Sequence, residues 1–199
     1  MANDGVDKER RRFLTTAATV VGGTGAVIAA VPFVEYMEPS ERAKAVGAPV
    51  EVDISKLKPG EQITAKWRGQ PIWILHRTEK MLDELKENDP ELSDPNSNVT
   101  SQQPPYCKNE DRSIKPDYFV VIGICTHLGC SPNYVPEGAP DAPGKDWHGG
   151  YLCPCHGSKF DLAGRVYKGV PAPTNLVVPP YKFVSDSKII VGADEESAS

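Results

Sequence analysis

The chain has 199 residues, enough for one ordinary domain and an appendage. With 22 Lys and Arg against 27 Asp and Glu, the net charge is −5, which argues against nucleic acid as a partner. Hydrophobic residues make up 39%, too few for a polytopic membrane protein, and 19 Pro with 17 Gly predict the many turns of an all-β domain.

Residues 1–12 read as a polar cytoplasmic tail, with Met1 to Glu9 expected to be disordered. Arg10, Arg11, Phe13 and Leu14 resemble a twin-arginine export signal, although Glu9 and Thr15 depart from its usual flanks. From Phe13 to Val34 there are 22 residues without a charge. As a helix they span about 33 Å, which matches a hydrocarbon core of ~30 Å. Residues 13–37 therefore read as one transmembrane anchor. Lys8 and Arg10 to Arg12 on its N-terminal side put that end in the cytoplasm and the rest of the chain outside. No A-x-A run ends the apolar stretch, and Ala43–Lys44–Ala45 lies beyond it, so the anchor is read as uncleaved. Gly22, Gly23, Gly25, Ala26, Ala29 and Ala30 keep the helix slim enough to lean on partner helices. Residues 38–49, bracketed by Pro39 and Pro49, hold too little apolar surface to fold alone and read as a flexible hinge.

Residues 50–199 form the head. Val50, Val52 and Ile54 alternate with polar residues, as in a half-buried strand. Lys58–Pro59–Gly60 is a turn, and Ile72 to Leu75 a short apolar strand. His76, at its end, carries no assigned role. Met81, Leu82 and Leu85 have helical spacing within 78–86. Residues 88–112 are polar and Pro-rich and predict an irregular excursion. Tyr118 to Ile124 is a buried strand, and 131–150 a Pro-rich loop. His148, within that loop, has no partner at ligand spacing. Residues 159–162 and 164–167 read as a hairpin around Ala163–Gly164. Short strands follow at 176–178, 181–184 and 188–191, then an acidic tail over 192–199.

Two runs carry chemistry: C-T-H-L-G-C at 125–130 and C-P-C-H-G-S at 153–158. Together Cys125, His127, Cys153 and His156 offer two thiolates and two imidazoles. That set fits a tetrahedral zinc site or a Rieske 2Fe–2S cluster, with sulfur donors on one iron and nitrogen donors on the other. Cys130 and Cys155 sit at corresponding places in their loops, beside the candidate ligands. Zinc has no use for them, whereas two loops clamped over a cluster would be tied by a Cys130–Cys155 disulfide, so the cluster reading is preferred. Disulfides alone would leave two well-spaced histidines unexplained. A structural disulfide implies an oxidising compartment. Cys107, the odd cysteine, reads as a free thiol in a loop.

With these motifs and the anchor, the chain resembles the Rieske iron–sulfur subunit of bacterial ubiquinol–cytochrome c reductase, the cytochrome bc complex. The resemblance implies an antiparallel β-sandwich head with a small cluster-binding subdomain at about 122–175. It implies an oxidoreductase subunit in the bacterial inner membrane with its head in the periplasm. The implied partners are a cytochrome b subunit, a c-type cytochrome subunit and ubiquinol, in a complex that is a homodimer. One 2Fe–2S cluster is expected, its inner iron on Cys125 and Cys153 and its outer iron on His127 and His156. His156 is implied to accept the quinol hydrogen bond and proton, and Ser158 to donate to a bridging sulfur. Leu128 and Gly129 are expected to rim the docking surface. Pro171 belongs to a G-V-P-A-P run resembling the family's cluster-covering proline loop. Many members carry Tyr where this chain has Phe160, so one hydroxyl bond to a ligand sulfur is missing and a lower potential follows.

Three other readings compete. One is the Rieske subunit of another exported oxidoreductase, such as an arsenite-oxidase-like enzyme. Another is a soluble ferredoxin for a ring oxygenase, disfavoured by the anchor and the extra cysteines. The last is a structural Cys2His2 zinc module.

Overall fold

A computed structural model describes residues 7–193, and the chain divides into two compact units, Met1–Ala45 and Val46–Ser199. The first six residues and most of the acidic tail, both expected to lack structure, lie outside the described residues.

In the first unit, helix α1 (Lys8–Glu35) runs for 28 residues with no buried side chain. It starts five residues before the uncharged stretch because Asp7 caps it. The Asp7 carboxylate accepts from the backbone N–H of Glu9 (3.1 Å) and Arg10 (3.2 Å). Glu9 in the first turn complements the helix dipole. By length and composition α1 can cross a membrane. The expected hinge is not irregular throughout. Residues Glu41–Gly47 form a short helix, α2. Ser40 starts it, its hydroxyl accepting from Ala43 N at 3.2 Å and its carbonyl from Lys44 N at 2.9 Å. Alanine's helix propensity offsets the lack of apolar surface over these roughly two turns.

The second unit is built from three antiparallel sheets of three strands each. In the first, β1 (Val50–Asp53) pairs with the C-terminal β9 (Lys188–Val191), which pairs with β8 (Tyr181–Ser185). In the second, β3 (Gln70–His76) lies between β2 (Gln62–Trp67) and β4 (Tyr118–Ile122), with Ile74 opposite both Ile63 and Val120. In the third, β6 (Gly150–Leu152) lies between β5 (Asn133–Val135) and β7 (Lys159–Phe160). Ile72, Ile74, Leu75, Phe119, Val120 and Val121 have no exposed surface. Each such side chain contributes roughly 1.5–3 kcal/mol by burial. Helix α3 (Glu79–Leu85) matches its predicted spacing; Thr78 caps it and Leu85 is buried.

The fold departs from the sequence pattern in three places. Strand β2 was not expected; its partner β3 imposes it across the Arg68–Gly69 turn, where both residues have positive φ. Strand β5 forms inside the Pro-rich 131–150 loop because β6 pairs with it. Residues 176–178, expected as a strand, are not one. Leu176 N donates to Gly164 O, Ile122 N donates to Val177 O, and Val178 N donates to Gln102 O. Three consecutive residues serve three different segments, so no ladder forms.

One contact positions both candidate metal-binding runs. The Trp73 ring of β3 lies where a Cβ on Gly123 would be, at 2.3 Å, so only glycine fits before Cys125. The same ring stacks on Tyr151 with centroids 5.1 Å apart and planes 10° apart. Gly123 leads into the first run and Tyr151 into the second.

Candidate metal centre

The two runs form loops with the same backbone bonding. In the first, Cys125 N donates to Cys130 O (2.7 Å) and Gly129 N donates to Cys125 O (3.0 Å). In the second, Cys153 N donates to Ser158 O (2.8 Å) and Gly157 N donates to Cys153 O (3.0 Å). Gly129 and Gly157 both have positive φ, 81° and 74°. The left-handed turn costs glycine little and other residues about 1–2 kcal/mol. Each loop thus returns to its strand with its middle residues projecting.

Cys130 and Cys155 are disulfide-bonded, with Cα atoms 6.7 Å apart. Their correspondence in the two loops does not hold, however. By backbone bonding Cys130 is the counterpart of Ser158, and Cys155 stands three residues earlier. The sulfurs of Cys130, Cys153 and Cys155 lie within 4.8 Å of one another, so the disulfide packs beside Cys153.

Cys125 and Cys153 remain free thiols, 1% and 2% exposed. Burial pushes the Cys125 thiol up; the His127 backbone N–H and the Ser158 hydroxyl pull it down. The His127 and His156 rings meet edge to face, 4.8 Å between centroids. His127 is half-buried and His156 exposed. Leu128 is 71% exposed beside them, with Gly129 and Pro171 also exposed. The two expected sulfur ligands therefore meet each other inside, and the two imidazoles meet at the rim. A donor set divided this way fits a 2Fe–2S cluster with one buried and one exposed iron.

The Pro171 segment is tied to both loops. Thr126 Oγ1 donates to Thr174 O at 2.7 Å. Ala172 N donates to the buried Ser158 Oγ at 3.1 Å, and the Ser158 hydroxyl hydrogen is directed at the Cys125 sulfur. Phe160 is fully buried and pairs with Tyr151.

The other single residues have structural partners. His76 Nδ1 lies 2.8 Å from Leu57 O, and its ring stacks on Tyr118. His148 lies between Glu84 (3.8 Å) and Glu87 (3.7 Å). Cys107 is free and fully buried, with Sγ 3.9 Å from Tyr181 Oη. Sequence reasoning missed the Trp73 brace and three buried arginines, Arg77, Arg112 and Arg165. The glycine inside the apolar run 118–124 was the one signal for the brace. Nothing in the local pattern marked the arginines: Arg112 ends the polar excursion, Arg77 stands between a strand and a helix, and Arg165 lies in a hairpin.

A family model described as "Rieske [2Fe-2S] domain" matches residues 49–182. Another, described as "Ubiquitinol-cytochrome C reductase Fe-S subunit TAT signal", matches residues 1–40. The chain is 60% identical over 198 residues to the ubiquinol-cytochrome c reductase iron-sulfur subunit of Allochromatium vinosum, covering 100% of this chain and 95% of the relative. It is 42% identical over 193 residues to the subunit of the same name from Blastochloris viridis, covering 96% and 97%. It is 40% identical over 182 residues to the mitochondrial cytochrome b-c1 complex subunit Rieske of Theropithecus gelada, covering 90% of this chain and 58% of that protein.

Proposed function

We infer how this site works from one premise: the chain belongs to the Rieske iron–sulfur subunits of ubiquinol–cytochrome c reductase, and it is the 2Fe–2S electron-transfer subunit of that oxidoreductase. Cys125 and Cys153, as thiolates, and His127 and His156 would hold the 2Fe–2S cluster. The observation that carries this reading is the division of donors, two thiols 1% and 2% exposed behind two imidazoles at the rim. Bound there, the cluster supplies a one-electron acceptor in the range ~−150 to +300 mV, against about −400 mV for plant-type ferredoxins.

The chain's own residues do the rest. His156, exposed at the second loop tip, accepts the hydroxyl hydrogen bond of ubiquinol and takes its proton as the electron leaves. Leu128, Gly129 and Pro171 form the apolar rim that docks and keeps water from that bond. The Ser158 hydroxyl, oriented by the Ala172 N–H, would supply a hydrogen bond to the sulfur side of the bound cluster.

The membrane arrangement follows from α1. The twin-arginine segment and apolar helix fit a single-pass anchored subunit. Its N-terminus lies in the cytoplasm and the head in the periplasm, on the basic flank Lys8 and Arg10 to Arg12. Residues 38–49 let the head move between a cytochrome b subunit, where ubiquinol is oxidised, and a c-type cytochrome subunit. The assembly is a homodimer. Capping by Ser40 makes α2 a short stiff element inside that linker.

The test is a reduced-state electron paramagnetic resonance spectrum of membranes, titrated against potential at several pH values. A Rieske signal that co-purifies with b- and c-type haems, with a midpoint that falls as pH rises, is expected. A midpoint flat with pH would remove the proton-transfer role of the ligand histidines.

A further inference from the structure

The head buries three guanidinium groups, Arg77 (2% exposed), Arg112 (0%) and Arg165 (2%), but one carboxylate, Asp161 (0%), among the described residues. Arg165 takes that carboxylate, Nε to Oδ2 at 2.7 Å, and adds the half-exposed Asp89 at 2.7 Å. Arg77 and Arg112 have no carboxylate within ion-pair distance among the described residues.

Their donors go to neutral acceptors. Arg112 donates to the carbonyls of Ala163 (3.0 Å), Gly164 (3.3 Å), Leu176 (2.8 Å) and Gln102 (3.1 Å), and to Gln103 Oε1 (3.0 Å). Arg77 donates to the carbonyls of Pro116 (2.8 Å), Asp111 (3.0 Å) and Leu162 (3.3 Å), and to Ser113 Oγ (2.9 Å). Its guanidinium also lies over the Phe119 ring, 5.3 Å from the centroid. Burial lowers both guanidinium pKa values to about 10, so both stay charged at neutral pH. Asp111 and Asp161 act on Arg77, and Asp161 and Asp94 on Arg112, only through space, so neither guanidinium has a carboxylate in direct contact among the described residues.

Such charge is expensive to bury, and neutral donors could cap carbonyls at lower cost. Both arginines converge on one feature. Leu162, Ala163 and Gly164 form the turn that follows Ser158 and Phe160 at the end of the second cluster loop. Arg112 also holds Leu176, two residues past Thr174, which Thr126 of the first loop contacts. The two guanidinium groups therefore sit on segments joined to both loops, in a medium where fields are weakly screened.

We propose that Arg77 and Arg112 raise the reduction potential of the cluster by holding unpaired positive charge behind its two loops. A cluster gains one negative charge on reduction, and net charge nearby is one lever on its potential. The proposal rests on the ligand assignment given above.

The experiment is a potentiometric titration of the full-length chain in membranes, read by electron paramagnetic resonance. Arg112→Gln and Arg77→Gln each remove a charge and keep donors; both lower the midpoint with unchanged g values. Arg112→Lys keeps the charge and leaves the midpoint near that of the parent. Asp161→Asn removes the buried anion and keeps an acceptor for Ala163 N and Arg165 N; it raises the midpoint. A merely structural role would move all four in one direction, Lys as far as Gln. Unchanged midpoints in both Gln variants, a fall in Asp161→Asn, or loss of the signal in both Gln variants would each overturn the proposal. A parent signal that survives Cys125→Ser would instead sink the ligand assignment.

Discussion

The two cluster loops share a backbone and differ in what hangs from it. Each is a six-residue turn closed by the same pair of bonds, Cys125 with Cys130 and Gly129, and Cys153 with Ser158 and Gly157. Yet the histidine falls two residues after cysteine in one and three after in the other, which helps leave His127 half-buried and His156 exposed. The sixth position is a disulfide cysteine in one and a buried hydroxyl in the other. Shared backbone thus supplies rigidity, and unequal decoration supplies a closed side and an open side.

The largest expected effect tests the shared part. Cys125→Ser and Cys153→Ser should each abolish the reduced-state signal and the bound iron, because both thiols sit at the same structural position. Retention in one of them would break the equivalence.

The disulfide comes next. It closes a separation of 25 residues, and a loop of this size is stabilised by about 3–4 kcal/mol. Cys130→Ser and Cys155→Ser should cost the same, and the double variant no more than either, measured by denaturant unfolding. A larger loss in the double variant would mean that one cysteine does more than pair.

Ser158→Ala asks whether the sixth position of the second loop is a structural match for Cys130. It leaves the Ala172 N–H without its acceptor in a buried place, an effect of about 1–3 kcal/mol. Unfolding midpoints equal to the parent's would show that the tie to the Pro171 segment carries no stability.

Gly129→Ala and Gly157→Ala probe the shared turn alone. A Cβ at either position meets nothing within 4 Å, so only the positive φ is penalised, by about 1–2 kcal/mol. Equal losses sharpen the comparison, and unequal ones show that one loop can relax.

Cys107 is the contrast outside both loops. Burial pushes its thiol from 9.0 up to about 11. Below pH 9 both folded and unfolded chains keep the proton. Between about 9 and 11 the unfolded chain loses it first, so stability falls as pH rises through that window. Thiol alkylation of the folded protein at neutral pH should spare Cys107, and its rapid labelling would contradict the burial.

Much of this site was legible before any fold. The candidate donors and the apolar helix follow from residue types at short spacings, which leave a chain few local geometries, and the pairing of Cys130 with Cys155, 25 residues apart, from those two being left over beside the candidate ligands. The correspondence of Cys130 with Cys155 misled because spacing counts residues, whereas bonding matches Cys130 to Ser158. Residues 38–49 misled because a single serine cap and a few alanines suffice for α2.

What the chain itself determined is therefore chemical and local: which atoms can bind metal, which cysteines are left to pair, and which stretch suits a bilayer. Tertiary structure alone decided the brace of Trp73 between Gly123 and Tyr151, and the convergence of Arg77 and Arg112 on the 162–164 turn. Those contacts join residues separated by tens of positions. Their existence depends on which segments meet in space, and neither periodicity nor spacing encodes that.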